Sequence, residues 1–200
     1  MAGTSSKIQR IITLSSGKSR GSNLIAIYRF FAEQHLPVEI VRAVFTDAKS
    51  VACQSCQQLN IPTRIIPARD MEAFEAQLIA LAHSEDAQLI ALCGFMKLLS
   101  RDCLSALKIP VLNIHPALLP KYGGQGMYGM RVHEAVFAAG DKLSGATIHR
   151  VDLIYDHGEI LVQKTVDISD CSSPQEIAGR VLAVEHEIYA PAIFDELQRL

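Results

Sequence analysis

Short apolar runs alternate with helical patterns through the first 115 residues, and this alternation constrains the fold more than any other feature of the sequence. The runs of strand length are QRIITL, VEIVRAVF, TRIIP, AQLIALC and VLNIH. Segments with helical spacing of apolar residues separate them, the clearest being NLIAIYRFFAEQ, AKSVACQSCQQL and MEAFEAQLIALAHS, with a short helix over residues 101–107. Strands connected through helices favour parallel pairing. The sequence therefore predicts an α/β fold with an open, mostly parallel, twisted sheet and helices on both faces.

The pattern changes after Pro116. Residues 117–129 are rich in glycine and form a predicted irregular loop, and residues 130–140 predict a helix that ends at a glycine. GATIHRVD and EILVQKTVDI predict a carboxy-terminal hairpin of two strands. SSPQE then opens a last helix, with a serine cap followed by proline, that runs to the carboxyl end.

Composition narrows the class of partner. The 200 residues are 49% hydrophobic and 20% charged with a net charge of −2, which is typical of a globular protein and lacks the positive field that nucleic-acid binding needs. No apolar stretch is long enough to span a membrane, and the amino terminus lacks the apolar core of a secretory signal. We expect one domain over residues 1–200, with residues 1–7 disordered, acting on small molecules as a monomer or homodimer.

The cysteines indicate a reducing compartment. Five cysteines at irregular spacing do not suggest a disulfide framework, so we expect a cytoplasmic protein. Cys53 and Cys56 form a C-x-x-C, but no second pair completes a zinc site. Core or surface thiols are therefore favoured over metal binding or redox chemistry.

Three polar segments follow three of the predicted strands. They are SSGKSRGSN after the first strand, CGFMK after the fourth and NIHP after the fifth. Because ligands of open parallel sheets bind beyond the carboxyl ends of the strands, we expect these segments to line one cleft.

The first segment has the composition of an anion site. Glycines and hydroxyl groups precede a predicted helix, whose first N–H groups can bind phosphate, and Lys18 and Arg20 add positive charge. It is not a P-loop, because that motif would need glycine where Ile12 stands, and the dinucleotide-binding glycine spacing is also absent. The alternative is a polar surface turn in which Ser22 caps the helix.

Asn113 and His115 are candidate catalytic residues. Residues two apart in a strand point to the same side, so both side chains share a face. An amide can donate to a developing oxyanion, and a histidine can move protons near neutral pH. Asp156, in the turn of the hairpin, could orient the imidazole, although an aspartate before a histidine and glycine is also a common turn former. His149 could face either the cleft or the core.

Five motifs, taken in order, resemble the folate-dependent formyltransferase family. They are SSG…GSNL, GFMKLLS, LNIHPALLPKY, SGATIHRVDLIYDHGEIL and AVEHEIYAPAI. The resemblance extends from about Ile8 to Leu197, and its most specific part is N-x-H-P followed by a late D-x-G. It implies a Rossmann-like formyltransferase fold. Family members with an added amino- or carboxy-terminal domain are longer than this chain, and we expect neither domain here.

The resemblance also implies roles for particular residues. Asn113, His115 and Asp156 would form the catalytic set. The phosphate and the rest of a ribonucleotide would be bound by four residues: Gly21, Ser22, Asn23 and Glu185. The folate pocket would be lined, largely through backbone groups, by two segments: Met96, Lys97, Leu98 and Leu99, then Asp152, Leu153, Ile154 and Tyr155.

The implied reaction transfers the formyl group of 10-formyltetrahydrofolate to the amine of glycinamide ribonucleotide in de novo purine biosynthesis. It needs no metal, because the formyl carbon is already activated and fixed donors can meet the negative charge. Two alternatives stay open. The acceptor could be another amine, such as an amino sugar nucleotide, or the chain could be a folate- or nucleotide-binding protein without catalytic activity.

Overall fold

The predicted strands and helices are present in a computed structural model, which describes residues 7–17 and 20–200. Seven strands form one sheet: β1 Gln9–Ser15, β2 Val38–Phe45, β3 Thr63–Ile65, β4 Leu89–Leu92, β5 Val111–His115, β6 Leu143–Arg150 and β7 Ile160–Asp167. The described helices are α1 Ser22–Glu33, α2 Val51–Gln58, α3 Met71–Ser84, α4 Arg101–Leu107, α5 Met130–Ala138 and α6 Pro174–Leu197.

The strand order places a crevice at the middle of the sheet. The order is β3-β2-β1-β4-β5-β6-β7, with parallel pairing from β3 through β5 and antiparallel pairing of β6 with both of its neighbours. The chain proceeds from β1 outward to β2 and β3, then returns across β1 to β4 and continues in the other direction, so the strand order reverses between β1 and β4. A binding crevice is therefore expected beyond the carboxyl ends of these two strands. The predicted fold class, a Rossmann-like α/β fold with a carboxy-terminal hairpin and helix, is confirmed.

Alternation along the strands places helices on both faces. In β1, Ile11 belongs to a buried cluster that includes Leu24 of α1 and Ile193 of α6. Its neighbour Ile12 belongs to a second cluster that includes Phe74 of α3. Successive side chains of a strand point to opposite faces, so the apolar run of a parallel strand serves both layers.

The bounds of several elements differ from prediction by one or more residues, and α2 and β3 show two physical reasons. The helix predicted over residues 48–59 forms only as α2, because the Asp47 side chain accepts a hydrogen bond from the Lys49 backbone N–H (2.9 Å) and holds the preceding residues in a turn. The strand predicted through Pro67 ends at Ile65, since proline has no N–H to donate to the neighbouring strand.

The last helix begins as predicted and is attached to the centre of the sheet. The Ser173 hydroxyl caps α6 by accepting from the Glu176 N–H (3.3 Å). Further along, the buried Tyr189 hydroxyl lies 2.9 Å from the Leu92 carbonyl oxygen and 3.0 Å from that of Leu112. The helix is thereby tied to β4 and β5.

Some predictions fall outside the described residues. Disorder was predicted for residues 1–7, of which only Lys7 is among the described residues; Lys18 and Ser19 also lie outside them. In the described part of the chain, no helix is long and apolar enough to cross a membrane. Cys53 and Cys56 are both buried among core residues, so of the predicted core or surface positions the core is the one observed.

Candidate active site

The loops after β1 and β4 join at the predicted crevice. The Ser16 N–H donates to the Gly94 carbonyl (3.1 Å), and the Met96 N–H donates to the Ser16 hydroxyl (3.1 Å). A cavity of about 230 Å³ lies beside these loops, beyond the carboxyl ends of the parallel strands. This is the place that the strand order indicates for a ligand.

Most of the predicted site residues line this cavity. Those that do are Asn23, Met96, Lys97, Leu98, Asn113, His115, Ile154, Tyr155, Asp156 and Glu185. The walls also contain residues that were not predicted, among them Leu92, Phe95, Met127, Tyr128, His149 and Val151. The lining is polar where Asn23 and Glu185 are hydrogen-bonded to each other, and we call this part the polar end. The part lined by apolar side chains, among them Phe95, Met96 and Ile154, we call the apolar end.

Five predicted residues have other positions. Leu99 is buried in the core at 1% exposure, so any contact with a ligand would have to use its backbone. Asp152 and Leu153 precede the part of the hairpin loop that lines the cavity, and the Asp152 carboxylate accepts from the Ile154 N–H (2.9 Å) to shape the turn. Gly21 and Ser22 stand at the start of α1, next to Asn23.

The start of α1 requires glycine. The helix cap is Gly21, with φ of 78°, and Ser22 is the first helical residue, so the alternative of a Ser22 cap is wrong. A Cβ atom on Gly21 would lie 2.5 Å from the Cβ of Ala52, too close for any side chain. Substitution of Gly21 would therefore disturb folding as well as any ligand at the helix start.

Asn113 and His115 face the cavity together, as their spacing in β5 predicts. In the antiparallel pair with β6, Asn113 lies opposite His149 and His115 opposite Thr147. The Asn113 side-chain nitrogen is 3.1 Å from Nε2 of His149. The sequence did not show whether the His149 side chain points to the cleft or to the core. The strand register places it opposite Asn113, and it lines the cavity.

Asp156 completes the cluster. Its Oδ1 lies 3.4 Å from Nδ1 of His115, 3.4 Å from the Asn113 side-chain nitrogen and 3.6 Å from Nε2 of His149. Its Oδ2 accepts from the Gly124 N–H (3.0 Å), and the backbone at Asp156 has φ of 56°, which aspartate tolerates better than most residues. The loop after β5 and the hairpin loop therefore meet at one carboxylate.

The carboxylate is charged at neutral pH. Burial raises the pKa of Asp156, but hydrogen bonds from His115 and His149, together with the Gly124 N–H, outweigh it and hold the pKa well below its usual range. On the other side of the imidazole, Nε2 of His115 lies 2.8 Å from the Tyr122 carbonyl oxygen. Because both ring nitrogens of His115 face acceptors, the doubly protonated ring satisfies both.

A second polar pair lies at the same cavity. The Asn23 side-chain nitrogen donates to Oε2 of Glu185 (2.6 Å), which is 8% exposed. The side-chain oxygen of Asn23 (Oδ1) is buried and has no hydrogen-bond partner among residues 7–17 and 20–200. A buried acceptor of this kind usually has a partner, so the pair suits a ligand that donates hydrogen bonds.

Glu185→Gln should stabilise the fold in a pH-dependent way. Burial raises the pKa of Glu185, against the opposing hydrogen bond from Asn23 and the charge of His115. A raised pKa gives stability that is complete below the unfolded value of about 4.3 and is lost as pH rises through the folded value. In urea unfolding, the variant should therefore have the higher midpoint at pH 7, with the difference shrinking towards pH 4. The exposed Glu187→Gln is the control, and an equal difference at both pH values would contradict this account.

The family relationship follows from comparison with known proteins. The sequence profile of a family described as "Formyl transferase" matches residues 9–193. The chain belongs to the formyl transferase family. The Asn113, His115 and Asp156 cluster lies within the matched region of this formyl transferase family member. In its described residues, no group of three histidine, cysteine, aspartate or glutamate side chains is placed to hold a metal ion.

Several relatives of this family member have names that specify an activity. It is 33% identical over 176 residues to the chloroplastic phosphoribosylglycinamide formyltransferase of Vigna unguiculata, covering 86% of this chain but only 56% of that protein. It is 29% identical to the phosphoribosylglycinamide formyltransferase of Bacillus subtilis (strain 168), covering 95% of each. The crystallised phosphoribosylglycinamide formyltransferase of Coxiella burnetii superposes with a TM-score of 0.84 at 33% identity, covering 97% of this chain and 90% of that one.

Proposed function

We propose that this family member transfers the formyl group of 10-formyltetrahydrofolate to the primary amine of glycinamide ribonucleotide, a step of purine biosynthesis. The observation that carries the proposal is the convergence of Asn113, His115 and Asp156, whose polar atoms approach within 3.4 Å at the wall of one cavity. The names of the relatives from Bacillus subtilis and Vigna unguiculata support the same reaction.

The three side chains have complementary roles. Attack of the amine on the formyl carbon places negative charge on the formyl oxygen, and donors that are already oriented stabilise that charge. Asn113 and Nδ1 of His115 stand 3.4 Å from Asp156, longer than the about 2.7–2.9 Å of a good charge-assisted hydrogen bond, so both can turn to a stronger acceptor. In the transfer, His115 donates its Nδ1 proton to the leaving nitrogen, and the proton lost by the attacking amine then replaces it on the ring. Asp156 is close enough to orient the imidazole during both proton movements.

The acceptor would bind at the polar end of the cavity. The start of α1, where Ser22 and Asn23 follow the Gly21 cap, offers backbone N–H groups of the first helical turn and a favourable dipole to a phosphate. The Glu185 carboxylate and the unpartnered Asn23 oxygen can accept from the hydroxyl groups of a ribose. Arg20, and Lys18 on sequence grounds, would increase the capture of a doubly charged phosphate.

The formyl donor would bind at the apolar end. Phe95, Met96 and Ile154 are among the apolar residues of the wall, which suit a flat pteridine ring. Backbone groups of residues 96–99 and 152–156 would supply its hydrogen bonds, since the Lys97 ammonium already donates to the Ala68 carbonyl (2.6 Å). The donor brings an activated formyl carbon, so we include no metal in the scheme.

The cellular setting is part of the proposal. Cys53, Cys56 and Cys103 are buried free thiols, which suits a reducing compartment such as the cytoplasm. We propose that the chain acts there as one domain, as a monomer or homodimer.

The test is a direct assay. The protein is incubated with 10-formyltetrahydrofolate and glycinamide ribonucleotide, and the release of tetrahydrofolate is followed by absorbance. Release that depends on the ribonucleotide supports the proposal. Release only with an amino sugar nucleotide would move the activity to another amine, and binding of both ligands without turnover would make the chain a binding protein.

A further inference from the structure

We propose that Tyr122 and Asp141 form a positioning pair. The pair keeps Nε2 of His115 hydrogen-bonded to the Tyr122 backbone carbonyl, so that Nδ1 faces the reacting groups. Neither residue touches the proposed substrates in this scheme. The expected effect on turnover rests on the proposed function. The expected effect on the orientation of the His115 ring does not.

The first step is the direction of the imidazole. Nε2 of His115 lies 2.8 Å from the Tyr122 carbonyl oxygen, and the residue is 4% exposed. A carbonyl oxygen can only accept, so Nε2 must carry a hydrogen in every protonation state of the ring that keeps this bond. Proton transfer is thereby confined to Nδ1, the nitrogen that faces Asp156 at 3.4 Å.

The second step is the backbone that supplies the carbonyl. Tyr122 has φ of 59°, a left-handed conformation that tyrosine rarely adopts. It lies in a tight turn in which the Lys121 N–H donates to Leu118 (3.1 Å) and the Gly123 N–H to Pro120 (3.4 Å). An unfavourable conformation of this kind persists only where surrounding contacts hold it.

The third step is the contact that holds it. The Tyr122 hydroxyl donates to Oδ2 of Asp141 (2.8 Å), and the Lys121 ammonium donates to both oxygens of the same carboxylate (2.9 and 2.6 Å). Asp141 follows α5 and directly precedes the hairpin, so it belongs to a different part of the chain from the loop that it anchors. Hydrogen bonds from Lys121 and then Tyr122 keep the pKa of Asp141 below its usual value, so the carboxylate is the acceptor at neutral pH.

The contact between the Tyr122 hydroxyl and Asp141 does not alter the charges around His115. The titratable groups of the described residues that interact with His115 include Asp156, His133 and Glu185. Removal of the Tyr122 hydroxyl alters none of them. A change in the behaviour of His115 in that variant therefore measures its orientation.

The test combines kinetics with NMR titration of the His115 ring. Tyr122→Phe should lower kcat about tenfold and leave KM for both substrates within about twofold, because only the alignment of a reacting group is lost. The ring should lose its proton at a pH lower by about half a unit, since the acceptor of Nε2–H is no longer fixed. Asp141→Ala should reproduce both effects, and the double variant should be little worse than Asp141→Ala alone, because that substitution already removes the acceptor of the Tyr122 hydroxyl.

Two further variants separate positioning from general stability. Asp141→Asn retains an oxygen for the Tyr122 hydroxyl and should restore kcat to within about twofold of wild type. Tyr28→Phe removes the same hydroxyl from α1 and should change neither kcat nor the titration. Wild-type titration of His115 in both Tyr122→Phe and Asp141→Ala, with or without a lower melting temperature, would overturn the inference. If the wild-type protein transferred no formyl group, the proposed function would fail, while the titration would still decide this inference.

Discussion

His115→Ala should lower kcat by about two to four orders of magnitude, the loss expected when a general acid–base group and an oxyanion donor are removed together. Neither Asp156 nor Asn113 can take its place. Asp156 is an acceptor, and the Asn113 amide cannot move protons near neutral pH. The measurement is the turnover rate with both substrates saturating.

Binding and folding serve as controls for that variant. The affinity for the formyl donor should stay within about twofold, because the apolar end of the cavity is built by other residues. His83→Ala, at the exposed end of α3, removes the same side chain and should retain wild-type turnover. Near-normal turnover of a folded His115→Ala protein would show that the histidine is a structural residue of the core.

Asp156→Asn should lower kcat by about two to three orders of magnitude while keeping the shape of the side chain. The amide cannot stabilise the imidazolium of His115, so the ring loses its proton at lower pH. If the protonated ring is the active form, the fall in rate on the alkaline side of the pH profile should move to lower pH. The acidic side, which we assign to protonation of the substrate amine, should stay in place.

The same variant has a predictable effect on stability. The depressed pKa of Asp156 stabilises the folded state above the unfolded value of about 3.9, and this stabilisation disappears as pH falls through the folded value. The difference in unfolding free energy between wild type and Asp156→Asn should thus be largest at neutral pH and should shrink in acid. Asp170→Asn, at an exposed carboxylate that pairs with Arg180, should change the turnover rate by less than about twofold. If the titration of His115 is the same in wild type and in Asp156→Asn, Asp156 serves only to form the turn.

Elements whose side-chain pattern is set by burial could be predicted from the sequence with accurate bounds. Examples are β2, α3, α4 and β5, each observed over the predicted residues. In these segments the period of the apolar residues reflects one or two buried faces, and that period is written directly in the sequence. The shared face of Asn113 and His115 follows from the same rule. Where a polar turn competes with the helix, as at Asp47, the predicted bound was wrong.

The remaining parts of the candidate site depend on long-range geometry. His149 reaches Asn113 only because of the register between β5 and β6, which the composition of the two strands does not determine. The bond between Nε2 of His115 and Tyr122 uses a backbone carbonyl, a group that every residue has and that leaves no signature in a sequence. The contact between Asn23 and Glu185 spans 162 positions, and residue types alone gave no reason to pair them.

The attachment of α6 links the proposed substrate site to the survival of the folded chain. This one helix brings Glu185 to the cavity and the Tyr189 hydroxyl to the carbonyls of β4 and β5. It also carries Glu196, which forms a bidentate ion pair with Arg150 of β6. If this helix detaches, the cavity loses a wall at the same moment as the sheet loses its cover. Proteases that recognise such an open form would remove molecules already unable to bind substrate, and bound substrate would protect the helix from them. The concentration of substrate in the cell would thereby help to set how long each molecule lasts.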